Sequence, residues 1–184
     1  MEAQNENRRL IIEQDDCPEN PRDWDNQGRM FCWHQRYQLG DEQPAADPHE
    51  WLANFTEHYP DAVILPLYLM DHSGLMLSVG PFSCPWDSGV VGWIVCSRAY
   101  WEGLDREQVK ANLQAEVRVY SQYLEGDVWG FTCQKKREAC DKCGRGPDWE
   151  TVDSCWGFFG TDWDNNGIKD NLPEEFHELL TRLP

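Results

Sequence analysis

The chain has 184 residues, and its ten Trp, seven Phe and six Tyr supply enough large apolar area for a buried core, which excludes a disordered polymer. Sixteen Lys and Arg against 33 Asp and Glu give a formal net charge of −17, which opposes direct DNA binding and association with anionic membranes. The longest apolar run, Ala62 to Met70, is too short to span a bilayer, and the N-terminal stretch lacks the pattern of a secretory signal, so the eight Cys are expected as cytoplasmic thiols or metal ligands.

An acidic N-terminal segment, about residues 1–25, opens the chain. Met30 to His34 reads as the first strand. Pro48 to Tyr59 reads as a helix, with Asp47 as N-cap, Pro48 in the first turn and an apolar face of Trp51, Leu52 and Phe55. Val63 to Met70 and Leu75 to Val79 read as strands joined by a turn at Asp71-His72-Ser73-Gly74. Pro66 lacks an N–H, so its strand should lie at a sheet edge or carry a bulge. Val90 to Cys96 is a further strand. The helix from about Arg106 to Leu124 has Asp105 as cap, Gln108 three residues on, Gly126 past its end and a stripe of Val109, Leu113, Val117, Tyr120 and Leu124. Asp127 to Thr132 and Cys155 to Phe159 follow as strands, and an amphipathic helix spans about 174–183. The expected fold is a single α+β domain over 1–184, mainly antiparallel sheet with two or three packed helices and a cysteine-rich loop.

Charge is uneven along the chain. Residues 1–50 carry twelve acids and five bases, residues 148–184 nine acids and two bases, and the centre is closer to neutral. An excess of acid keeps an aromatic-rich protein in solution; it also suits a basic partner.

Four motifs carry chemistry. Cys140 and Cys143 form a C-x-x-C-G knuckle, and with Cys133 and Cys155 they would supply the four thiolates of a structural zinc site; otherwise they are simple thiols. The same region is basic, with Lys135, Lys136, Arg137, Lys142 and Arg145, which suggests a zinc-ribbon surface for nucleic acid or an ordinary solvated loop. Asp162, Asp164 and Asn166 before Gly167 follow the first half of a calcium loop, but the bidentate Glu expected at its twelfth position is Pro173, so an Asn-Gly turn is the alternative. Cys84 or Ser88 with His72 and Asp87 could form a hydrolase-type nucleophile site. Against it, Pro85 offers no N–H to an oxyanion hole and no G-x-S-x-G elbow is present. Trp33, Arg36 and Tyr37 read as core and ion-pair residues or as the wall of a pocket.

Five stretches, WDNQGRMFCWHQRYQLGD (24–41), ILPLYLMDHSG (64–74), PFSCPWDSGVVGWI (81–94), YLEGDVWGF (123–131) and DSCWGFFG (153–160), together resemble a widespread family of small proteins of bacteriophages, plasmids and other mobile elements. The resemblance supplies no catalytic residue. It implies a setting, the cytoplasm of a bacterial host, in which small accessory proteins block nucleic-acid-targeting defence complexes. Joined to the charge, it leads to the expectation of a non-enzymatic inhibitor of the anti-CRISPR or antirestriction type, an acidic DNA mimic that binds the basic surface of a defence nuclease. Its contact carboxylates would be Asp15, Asp16, Glu19, Asp23 and Asp25 at one end and Asp162, Asp164, Asp170, Glu174 and Glu175 at the other. A homodimer is compatible with this reading.

Overall fold

The computed structural model describes residues 1–84, 86–139 and 146–183. Among the described residues, eight strands form two antiparallel four-stranded sheets, and helices account for most of the remaining regular structure. The α+β class expected from the sequence is therefore what the chain adopts. It packs as two compact units, one of residues 1–19 with 126–184 and one of residues 20–125.

In the central unit, β3 (Arg29–Cys32), β4 (Val63–Asp71), β5 (Leu75–Ser78) and β6 (Ser88–Cys96) lie in the order β3-β6-β4-β5. Alternation along the strands divides their side chains between two cores. Met30, Cys32, Leu67, Leu69, Ile94 and Cys96 face α2 (Arg106–Glu125), which buries Val109, Leu113, Val117 and Tyr120, the stripe that the 3.6-residue period marks out. The helix starts on a capping box: Gln108 N–H donates to Asp105 Oδ1 and Asp105 N–H to Gln108 Oε1, both at 2.9 Å. On the other face Phe31, Trp93 and Val95 pack with Trp51, Leu52 and Phe55 of α1 (Pro48–His58). Pro66 lies in the part of β4 that pairs with β6 alone, since β5 joins only from Tyr68, and the register shifts just beyond it, between Leu67 and Tyr68, so the local edge and the bulge that the sequence offered as alternatives both occur.

The other unit contains β1 (Glu2–Gln4), β2 (Arg8–Gln14), β7 (Val128–Arg137) and β8 (Asp148–Phe159) in that spatial order. Leu10, Ile12, Phe131, Cys133 and Phe158 form its core with Ile168, Leu172, Phe176, Leu179 and Leu180. Three sequence expectations change here. The N-terminal segment contains two strands that the sequence reading left unassigned. β7 and β8 are longer than expected, so Lys135, Lys136 and Arg137 lie on a strand and not in a loop. The expected helix over 174–183 is a 3-10 turn at Glu174–Phe176 and a short α4 (His177–Leu180), preceded by α3 (Ile168–Asn171). Phe176, Leu179 and Leu180 are all buried, and the tighter first turn lets Phe176 reach the core with them.

Candidate functional site

The residues of the sequence-predicted nucleophile site do come together, at the edge of a cleft of about 420 Å³ in the central unit. The turn after β4 presents His72, and the segment entering β6 presents Cys84, Asp87 and Ser88. Asp87 Oδ2 lies 3.4 Å from Cys84 Sγ and 3.5 Å from His72 Nδ1. Ser88 Oγ donates to the Cys84 carbonyl at 2.6 Å, and the Asp87 carbonyl takes the Asp71 N–H at 3.0 Å. Asp87 is thus the hub, touched by both the thiol and the imidazole. A nucleophilic cysteine needs its base against the sulfur. The group against this sulfur is a carboxylate, and no hydrogen bond links Cys84 to His72 among the described residues. The Ser88 hydroxyl is spent on a carbonyl. Pro85 lies outside the described residues.

The remainder of the cleft is an aromatic and charged wall. Trp33, His34, Arg36, Asp71 and Trp86 line it, and Trp86 is 92% exposed. Arg36 pairs with Asp71 and lies 5.4 Å over the Tyr37 ring, which in turn stacks on His34 at 5.0 Å. The sequence allowed Trp33, Arg36 and Tyr37 either core and ion-pair roles or a pocket wall; Trp33 and Arg36 fill both, since Trp33 also packs against Trp51 and Trp93.

An ionic centre that the sequence reading did not single out lies in the same unit. Arg22, with only 3% of its side chain exposed, donates to Asp41 from Nε at 2.9 Å and from Nη2 at 2.7 Å, and to Glu116 from Nη1 at 3.0 Å. Its Nη2 also reaches the Gly28 carbonyl at 2.7 Å. The carboxylates then hold backbone: Asp41 takes the Met30 N–H, and Glu116 takes those of Gln27 and Gly28. Burial alone would pull the Arg22 guanidinium down, but Asp41 and Glu116 outweigh it and its proton is held more firmly than usual. Asn20 caps the short turn that carries Arg22. No local pattern signals this centre, because residues 22, 41 and 116 meet only through the fold.

The zinc ligands are distributed as follows. Cys140 and Cys143 lie outside the described residues, as do Lys142 and Arg145. Cys133 and Cys155 are on one face of the β7–β8 ladder, opposite Asp153 and Phe131 respectively. Cys133 lies in the apolar core, and burial, with help from Asp153 and Glu175, pushes its thiol up to about 12. No group of three or more His, Cys, Asp or Glu suited to a metal occurs among the described residues. Of the strand cations, Lys135 reaches Glu175 at 2.8 Å.

Asp162, Asp164 and Asn166 are each engaged within their own turn. Asp162 takes the Asn165 amide, Asp164 pairs with Lys169 at 2.6 Å, and Asn166 Oδ1 accepts the Ile168 N–H. Gly167, at φ 94°, makes the left-handed step into α3.

The predicted contact carboxylates divide. Glu175 bridges Arg8 and Lys135, and Asp164 is taken by Lys169. Asp15, Asp16, Glu19, Asp162, Asp170 and Glu174 in one unit, and Asp23 and Asp25 in the other, form no ion pair among the described residues. No described helix is long and apolar enough to cross a membrane. Comparison with protein-family models, curated proteins and solved structures finds nothing that matches this chain.

Proposed function

We propose that this chain is a non-enzymatic inhibitor of a nucleic-acid-targeting defence complex, binding the complex's basic surface through carboxylates. The observation that carries the reading is how the cations are spent. Arg8, Arg9, Arg22, Arg29, Arg36, Lys110, Lys135, Lys169 and Arg182 each bridge to a carboxylate of the chain, and Arg106 donates to the carbonyls of Asp61 and Ala62. Of the other described cations, Arg98 lies over the Trp101 ring and Arg118, Lys136 and Arg137 form no ion pair among the described residues; the exposed carboxylates outside ion pairs include Asp16 and Glu19 in one unit and Asp23 and Asp25 in the other. A surface evolved for phosphate sees such an array as a polyanion, and long-range attraction speeds the encounter.

The test is competition with labelled duplex DNA for a panel of purified defence nucleases. Displacement that weakens steeply with salt, and that falls about tenfold or more on charge reversal at Asp16 and Glu19, is the expected result. Salt-insensitive inhibition, or none across the panel, removes the mimicry mechanism.

A second reading, a hydrolase at the Asp87 cleft, is favoured by the gathering of Cys84, His72, Asp87 and Ser88. Cys84→Ala and His72→Ala, made separately and checked for folding, should each abolish hydrolysis of ester and amide substrates by the parent. Unchanged turnover in either variant eliminates it.

A further inference from the structure

Trp24, Tyr59 and Tyr100 are left 46%, 50% and 66% exposed, and all three line one hollow of about 500 Å³ in the central unit. They come from three separate places in the chain: after the turn at Pro21–Asp23, at the end of α1, and at the end of the turn Arg98–Tyr100. Phe31, Phe55 and Val95 complete the apolar lining. Half-exposed large rings gathered around a single hollow of this size suit a small-molecule site.

The hollow is also held in shape. Arg22 lines it, and the Arg22–Asp41–Glu116 network fixes the backbone from Gln27 to Met30 along its wall. The same network limits the charge of an occupant. Arg22 is matched by two carboxylates, so its guanidinium is not left for a phosphate, and Arg29 is bound to Glu42 at the exposed rim. Asp41 is the one carboxylate in the lining, and both its oxygens are taken by Arg22 and the Met30 N–H, so it is not left for a cation. What fits is an uncharged planar ring, stacked on aromatic faces. The polar groups specify its edge. Asn26 Oδ1, the Ser97 hydroxyl and the Tyr59 and Tyr100 phenols line the hollow without a hydrogen bond among the described residues. A hydrocarbon ring would leave them unanswered, whereas a heterocycle with donors and acceptors along its edge would not.

We propose that this hollow binds a nucleobase presented as an uncharged nucleoside. The inference goes beyond the inhibitor reading and stands or falls separately, because binding of a neutral ligand is insensitive to salt.

The experiment is an NMR titration of the full chain with adenosine, guanosine, cytidine and uridine, with phenylalaninamide as the control ring, reading the indole N–H of Trp24 in the parent and the backbone amides of Gly28 and Arg29 in the parent and every variant. Saturable shifts with at least one nucleoside, unchanged between low and high salt, are expected. Trp24→Ala and Tyr100→Ala should each weaken binding about tenfold or more, Trp24→Phe should restore most of it, and Trp86→Ala in the other cleft should leave it unaltered. Absence of saturable shifts with all four nucleosides overturns the proposal. So does tighter binding of phenylalaninamide, or equal binding by well-folded Trp24→Ala and Tyr100→Ala variants.

Discussion

Arg22 and Asp41 meet through two parallel hydrogen bonds, Nε to Oδ1 at 2.9 Å and Nη2 to Oδ2 at 2.7 Å. The fork matches a carboxylate in a way an ammonium cannot. Asp41→Asn removes the fork but leaves Arg22 on Glu116, so it should destabilise the fold by about 1–3 kcal/mol in urea unfolding. Arg22→Lys should also destabilise, despite its retained charge. A midpoint unchanged in both variants would mean that the network contributes nothing.

Glu175 accepts from Lys135 and bridges Arg8, and the hydrogen bond to Lys135 holds its carboxyl below the ordinary carboxylate range. A carboxylate with a depressed folded-state value stabilises above its unfolded value, and the contribution disappears as pH falls through the folded one. Glu175→Gln should therefore unfold more easily than the parent at neutral pH, with the gap closing in acid below the carboxylate range. Parallel urea titrations across that range decide it; a gap that widens in acid would contradict the assignment.

A Cβ on Gly92 would stand 1.9 Å from the Phe31 carbonyl across the β3–β6 ladder. That atom is backbone and cannot swing aside. Gly92→Ala should cost about 1–3 kcal/mol or more by forcing the strands apart, whereas Gly89→Ala, where the added carbon meets nothing, should cost much less. Thermal melts of the pair provide the comparison.

Burial pushes the Cys32 and Cys133 thiols up to about 12, while Cys17 is exposed. Brief treatment of the native protein with iodoacetamide should label Cys17 and spare Cys32 and Cys133, which react only once urea unfolds the chain. Site-resolved mass spectrometry reads the outcome. Early labelling of Cys133 would show that its strand opens readily.

The legible parts of this sequence were those with a local cause. The helix at 106–124 combines a capping box with a regular stripe, and the turn Asp71-His72-Ser73-Gly74 between two apolar runs marks a hairpin. β2 was missed because Arg8-Arg9 and Glu13 flank only a short apolar run, and its partner strand is remote in sequence. The terminal helix was over-extended because a helical spacing of Phe176, Leu179 and Leu180 does not distinguish one long helix from a 3-10 turn joined to a short one. For the site, the cluster around Asp87 followed from dense polar turns. The Arg22 centre and the aromatic hollow did not, since each is assembled from segments far apart in sequence whose individual residues look ordinary.

The pairing of β2 with β7 has a consequence for how the chain is made. Arg9 donates to Gln134, 125 residues away, across that ladder. At the pace of translation β2 waits on the order of ten seconds for its partner, while the whole of residues 20–125 emerges and can complete its own sheet. During that interval Leu10, Ile11 and Ile12 form an apolar strand with only β1 beside it and its β7 edge open, bracketed by Arg8, Arg9 and Glu13. Those flanking charges then act as gatekeepers against premature association between nascent chains.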